Sequence, residues 1–224
     1  MFHVKRLILL FLIVAPLLSF GQHFSTSSIE VKPLPALPVN DQKILAFIAS
    51  NSKNVSLSIE AKEWYYWTNF SRSKPRVFWD SVINPILNTF PNLKSSYSNS
   101  LKKDLYSTGQ LEMLVPSIKL TKLAQLHATD LAKKKASPSH SSSSGKSFQD
   151  RMMESNIEKC AGENISFGPS NAILSLIFLF IDEGLPDLGH RKALLNASYR
   201  EMGIVISTYP NGNTLVIQDF SCLQ

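Results

Sequence analysis

The chain has 224 residues, of which 44% are hydrophobic, and its formal net charge at neutral pH is +6. This length suits a single domain with a sizeable core. The charge falls from +6 to +4 when Lys5 and Arg6 of a predicted N-terminal signal are subtracted. So small a surplus is not typical of a nucleic-acid-binding surface, and we expect no nucleic-acid partner.

The N-terminus has the pattern of an export signal. Lys5 and Arg6 precede fourteen almost entirely apolar residues, 7–20, and the small residues Ser19 and Gly21 mark a cleavage site. We predict a signal peptide at 1–21 and a mature protein that is secreted, periplasmic or extracellular. The apolar run is shorter than the roughly 20 residues that span a bilayer, so we expect no membrane span after cleavage. A retained anchor is the alternative.

The next segments predict a leader and then a helical region. Residues 22–39 are polar and contain several prolines, which indicates an extended leader. We place one domain at 40–224, and we expect its first part, 40–117, to be helical. Asn40 or Asp41 can cap the first helix of that part.

Two prolines punctuate the helical region. Aromatic residues recur at near-helical spacing over 59–69 and predict a second helix. Pro75 suits the first turn of a third helix. Pro85 should kink or interrupt that helix, because proline lacks a backbone donor.

The strongest helical pattern lies further along the chain. Leu120, Leu123, Ala124 and Leu131 form one apolar stripe. His127 falls on the same stripe, so we interpret it as a packed core histidine rather than a ligand.

The C-terminal part changes from helix to strand. Residues 171–183 predict an apolar helix, whereas the β-rich runs 203–207 and 214–218 flank an Asn-Gly turn and predict a hairpin. Helices followed by a hairpin favour a layered α+β domain.

Four polar side chains are candidates for a functional site, namely His140, Glu163, Glu183 and His190. Each has an ordinary explanation, such as a solvated loop histidine, a surface carboxylate or a helix cap. Together, two imidazoles and two carboxylates suit a divalent ion such as zinc. The same groups can equally form a hydrogen-bonded polar cleft without a metal.

The sequence contains two cysteines, Cys160 and Cys222. In an exported protein this count favours one disulfide. The alternative is a pair of buried free thiols.

Several of these residues also lie in a recognisable order. Leu-x-x-x-His-Ala-x-Asp-Leu-Ala at 123–132 precedes His140 and then Gly-Glu-Asn-Ile at 162–165. This order resembles the CAP superfamily, also called SCP-like, which groups cysteine-rich secretory proteins, antigen 5 and pathogenesis-related proteins. Phe-Ile-Asp-Glu at 180–183 resembles its Trp-x-x-Glu helix end, and Gly-His-Arg at 189–191 is similar to its bacterial branch.

The resemblance implies a three-layer α-β-α sandwich with a small antiparallel sheet. It also implies a cleft, holding zinc or another divalent ion in several members, that is lined by His140, Glu163, Glu183 and His190. Arg191 and Lys192 replace the eukaryotic signature after His190. We therefore do not expect the activities of animal and plant members, such as sterol binding, to transfer.

Two functions remain open from the sequence. The first is an extracellular binding module whose cleft takes a divalent metal or a small ligand, with a small molecule, lipid or envelope component as partner. The alternative is a metal-dependent hydrolase, a peptidase or esterase, that uses Glu163 or Glu183 as its base.

Overall fold

The computed structural model describes residues 32–135, 137–168, 170–209 and 212–223. The predicted signal peptide, the first part of the leader and the centre of the predicted hairpin turn lie outside these residues. Residues 32–40 form neither helix nor strand, and Leu34 and Leu37 pack against the main core.

The region before the sheet is helical, as predicted. Its α-helices are α1 (Gln42–Asn51), α2 (Ile59–Ser73), α3 (Pro75–Phe78), α4 (Asn84–Thr89) and α5 (Ser96–Ser107). Asp41 caps α1 by accepting a hydrogen bond of 2.9 Å from the Lys43 backbone nitrogen, and Ser58 caps α2 in the same way. Such caps satisfy amide groups that have no partner within the helix.

The α-helix that begins at Pro75 is interrupted before Pro85, as predicted, although the chain remains helical. A π-helical segment, Trp79–Ile83, connects α3 to α4 immediately before this proline. A π turn is wider than an α turn, and it occupies the position where the proline ring would otherwise crowd the preceding turn. Val82 and Ile83 stay fully buried across the junction.

Among the residues that the structure describes, four strands form one sheet in the order β1-β3-β4-β2. They are β1 (Val115–Pro116), β2 (Ala161–Gly168), β3 (Glu201–Thr208) and β4 (Thr214–Ser221). Strands β3 and β4 pair as the predicted antiparallel hairpin. Strand β2, which we did not predict, pairs antiparallel with β4 and places Glu163 directly opposite Asp219.

Helices cover both faces of the sheet. Helix α6 (Ile118–Lys134) packs Ala124 and Ala128 against Ile165 and Ile217 on one face. Helices α2 and α8 (Ala172–Ile181) contribute to a larger core on the other face. The predicted three-layer α-β-α sandwich is therefore confirmed.

One glycine lets α6 approach the sheet closely. A Cβ atom at Gly203 would lie 2.2 Å from the backbone carbonyl carbon of Leu120 and from the backbone nitrogen of Thr121. Only glycine can therefore occupy this position without moving the helix.

The remaining helices border the candidate site. They are α7 (Phe148–Glu154) and α9 (Gly189–Leu194). A disulfide joins Cys160, just before β2, to Cys222, just after β4, which confirms the predicted bridge. Within the described residues, no helix has the length and apolarity needed to cross a membrane.

Candidate functional site

The first half of the site pairs a loop histidine with a strand carboxylate. Nδ1 of His140 lies 2.8 Å from Oε1 of Glu163 on β2. The loop that carries His140 is held by Ser143, whose backbone nitrogen and hydroxyl both donate to Asp130 on α6, at 2.6 and 2.5 Å. This part of the serine-rich segment is therefore tied to the fold.

Arg151 on α7 completes this pair. Its Nη2 donates to Oε2 of Glu163 at 2.5 Å, and its Nη1 donates to the His140 carbonyl oxygen at 2.6 Å. The Glu163 side chain is only 1% exposed, and Arg151 supplies the cation that a buried carboxylate requires. Arg151 belongs to no motif, so nothing local in the sequence marks it.

The second half pairs His190 with Asp182. Nδ1 of His190 lies 2.5 Å from Oδ1 of Asp182, and both side chains are buried. The other oxygen, Oδ2, accepts a hydrogen bond of 2.9 Å from the Arg191 backbone nitrogen. Asp182 follows the last residue of α8 and adopts a left-handed conformation with φ of 54°.

Glu183, the sequence candidate for this role, lies elsewhere. Its side chain is exposed, and its Oε2 accepts a hydrogen bond of 2.5 Å from the hydroxyl of Ser95. The structure thus brings His140, Glu163 and His190 to one cleft but leaves Glu183 outside the residues that line it. The carboxylate that pairs with His190 is therefore Asp182, one residue before the predicted Glu183. Helix α8 ends at Ile181, and the next residue, Asp182, contacts His190.

The cleft has a volume of about 480 Å³. Polar groups line part of it, including Asp187, Lys192 and Asn196, and apolar groups such as Leu185 line the rest. Tyr199 closes over Gly162, where an added Cβ would lie 2.3 Å from the tyrosine oxygen. The Tyr199 ring can pack here because Gly162 has no side chain.

The hydrogen bonds decide which atoms remain for a ligand. Nδ1 of each histidine faces a carboxylate, so Nε2 is the nitrogen left to bind an ion. A carboxylate behind a histidine is the usual arrangement for orienting a metal-binding imidazole. Glu163 and Asp182 already use both of their oxygens.

This donor set fits a divalent ion in type but not in the number expected. Among the residues that the structure describes, no group of three or more His, Cys, Asp or Glu side chains is placed to hold a metal. Protein zinc sites usually have three or four protein ligands. Two imidazole nitrogens would leave the other positions to water or to a bound molecule.

His127 lies behind the site rather than in it. It is buried, and its Nε2 lies 2.7 Å from the carbonyl oxygen of Ser139, next to His140. Burial lowers its pKa, which favours a neutral imidazole. This agrees with the predicted core histidine.

Comparison with known proteins gives the family. Residues 98–220 match the family model described as CAP, the cysteine-rich secretory protein family. The match covers more than half of the chain, and the chain belongs to this family. The matched region begins in α5 and includes both histidine–carboxylate pairs.

Three solved bacterial structures are similar to parts of the chain. An extracellular protein containing an SCP domain from Bacillus anthracis has 25% identity and a TM-score of 0.41, with coverage of 50% of this chain and 35% of its own. An outer surface protein from Borrelia burgdorferi has 18% identity and a TM-score of 0.42, with coverage of 57% and 90%. A cysteine-rich secretory protein from Staphylococcus aureus has 16% identity and a TM-score of 0.33, with coverage of 58% and 39%.

The family assignment rests on the match of residues 98–220 to the family model. The chain spans about a third of the length of the Bacillus anthracis protein. No curated protein matches this chain.

Proposed function

We propose that this protein is an exported CAP-domain binding module whose cleft holds a divalent ion, such as zinc, or a small ligand. The observation that carries the proposal is the pair of histidines, His140 and His190, at one cleft, each with Nδ1 held by a carboxylate. This arrangement leaves Nε2 of both rings available to coordinate an ion. A bound ion would supply a Lewis acid that attracts an anionic or carbonyl group of the ligand.

Three features support export. The basic and apolar N-terminus predicts a signal peptide. The Cys160–Cys222 disulfide is of a kind that persists in oxidising compartments. The family is named for its secretory members. We therefore propose a secreted, periplasmic or extracellular location for the protein.

The cleft suits a ligand with both polar and apolar parts. Lys192 and Asn196 line the cleft with hydrogen-bond donors, while Leu185, Ala193 and the Tyr199 ring offer apolar contact. A mixed lining of this type fixes a ligand by a few polar contacts and stabilises it by burial. A small molecule, a lipid or an envelope component with such character is the partner class we propose.

The geometry favours binding over hydrolysis. A hydrolase would need Glu163 or Glu183 as its base. Glu163 gives one oxygen to His140 and the other to Arg151, and Glu183 lies outside the cleft. A base needs an unoccupied oxygen within reach of the proton that it removes. Glu163 lines the cleft but has both oxygens occupied, and Glu183 does not line it.

Zinc titration by calorimetry tests the proposal. We expect the wild type to bind one equivalent, and the His140→Ala/His190→Ala variant to lose at least tenfold in affinity. Affinity should weaken as the pH falls toward the ordinary histidine range, because binding requires neutral imidazoles. Glu183→Gln is the matched control and should bind like the wild type. A wild type that binds no zinc, or a double variant with unchanged affinity, would contradict the metal site.

A further inference from the structure

A second carboxyl group lies behind Glu163 and has no role in the proposal above. Asp219 on β4 is directly opposite Glu163 on β2 and is 1% exposed. Side chains that face each other across antiparallel strands lie close together, and two like charges there are destabilising. Ionising both buried groups is therefore unfavourable, and a proton on one of them removes the repulsion.

The surrounding charges decide which group is ionised. Glu163 accepts hydrogen bonds from Arg151 and His140, and the guanidinium compensates its negative charge. Within the part of the chain that the structure describes, Asp219 forms no ion pair, and its Oδ1 has no hydrogen-bond partner. The charge of Arg151 lowers the pKa of Asp219, but burial and Glu163 outweigh it. Burial and the neighbouring Glu163 charge both raise the pKa of Asp219 well above its ordinary value.

Every layer packed around Asp219 agrees with this assignment. On β3 the residue opposite Asp219 is Gly203, and the α6 backbone closes over that glycine. His127 on helix α6 interacts with the charge of Glu163 rather than with Asp219, and burial lowers the pKa of this histidine, which favours its neutral form. Helix α7 adds the guanidinium of Arg151, which forms an ion pair with Glu163 and lowers the pKa of Asp219 by less than burial and Glu163 raise it. Ionising Asp219 would place a second negative charge in this buried space against one cation.

We propose that Asp219 is a neutral carboxylic acid that donates its proton in a hydrogen bond to Glu163 and thereby positions the Glu163–His140 pair. Glu163 is then held by three donors, one each from Asp219, Arg151 and His140. The donor from His140 is its Nδ1–H group. The hydrogen bond from this group to Glu163 fixes the tautomer of His140 in which Nε2 carries the lone pair. Binding of an ion by this Nε2 rests on the proposed function. The location of the proton on Asp219 does not depend on that function.

Infrared spectroscopy of the metal-free protein at neutral pH tests where the proton lies. We expect a carbonyl band of a protonated carboxyl group in the wild type and its loss in Asp219→Asn. The matched control is Asp80→Asn, which removes an exposed aspartate elsewhere and should leave the band unchanged. Absence of the band in the wild type, or its persistence in Asp219→Asn, would overturn the assignment.

Nitrogen-15 NMR of His140 tests the positioning role. The wild type and Asp219→Asn should both show a single Nδ1–H tautomer, because the amide can donate to Glu163 in place of the acid. Asp219→Leu has similar bulk and no donor, so the Glu163 carboxylate is held less firmly against His140. We therefore expect a mixture of the two His140 tautomers in this variant. A single unchanged tautomer in Asp219→Leu would contradict the role, and Asp219→Asn with the infrared test decides the proton if the leucine variant does not fold. Zinc binding is measured separately, so its failure removes the proposed function without affecting either spectrum.

Discussion

The two histidine–carboxylate pairs reach the same cleft by different constructions. His190 and Asp182 are eight residues apart, both are buried, and the end of α8 and the start of α9 hold them. His140 and Glu163 are 23 residues apart, and the histidine side chain is 38% exposed. The first pair is local and fixed by backbone geometry, whereas the second is assembled from a loop, a helix and the sheet.

The two constructions differ in which substitutions should disturb each histidine–carboxylate pair. Asp182 depends on its backbone conformation and on the Arg191 amide, so its environment forms when α8 and α9 meet. Glu163 depends on side chains from distant segments, namely Arg151 and Asp219. We therefore expect the His140 side of the cleft to respond to single side-chain changes, and the His190 side to tolerate changes beyond its own residues.

The largest effect should come from Arg151→Ala. This change leaves the Glu163 carboxylate buried without a cation, and breaking a buried pair costs about 3 kcal/mol of unfolding free energy. Chemical denaturation measures the loss. Lys146→Ala is the matched control on the same side of the fold, because it removes an ion pair with Glu154 in which both side chains are about half exposed. Exposed pairs contribute about 0.5 kcal/mol, so similar losses in the two variants would refute the contrast.

Asp182→Ala should have the next largest effect, and it tests the one-residue displacement. Removing this carboxylate leaves both Nδ1 of His190 and the Arg191 amide without their acceptor, which we expect to cost about 2 kcal/mol of unfolding free energy. Glu183→Ala should cost less than about 0.5 kcal/mol because the side chain is exposed. Equal losses for the two variants would indicate that Glu183, and not Asp182 alone, supports the second pair.

A smaller effect should appear in the pH dependence of stability. The pKa of His127 is lowered in the folded protein, so the unfolded chain binds more protons as the pH falls below the ordinary histidine value near 6.5. Stability contributed by the neutral ring is therefore present above that value and is lost as the pH falls through it toward the lowered pKa. His127→Gln can still donate to Ser139 and cannot titrate, so its unfolding free energy should fall less steeply than that of the wild type. Parallel pH profiles for the two proteins would show that His127 does not contribute.

Much of the architecture could be predicted from the sequence, because periodicity and capping act locally. The apolar stripe of α6, the Asp41 cap and the β3–β4 hairpin each depend on neighbours within a few residues. Strand β2 escaped prediction because Gly162, Glu163 and Asn164 do not show an apolar alternation. Its burial comes from tertiary packing on both faces.

The site could be predicted only in part, for the same reason. Histidines and carboxylates at irregular positions gave three of the cleft residues, but the choice between Asp182 and Glu183 depends on the residue at which α8 ends. Arg151 and Asp219 lie far from Glu163 in sequence and belong to no motif. A buried carboxylate requires partners on physical grounds, and only the fold shows which residues supply them.

The disulfide gives the site an unusual covalent boundary. Cys160 and Cys222, 62 residues apart, close a ring that contains Glu163, Asp182, His190 and Asp219, while His140 and Arg151 lie outside it. A single protease cut inside this ring would leave both fragments attached to one another, whereas a cut between 140 and 160 would sever the His140 loop from the rest of the cleft. Digestion without reducing agent should therefore place the two histidines on separate fragments only when the chain is cut between His140 and Cys160.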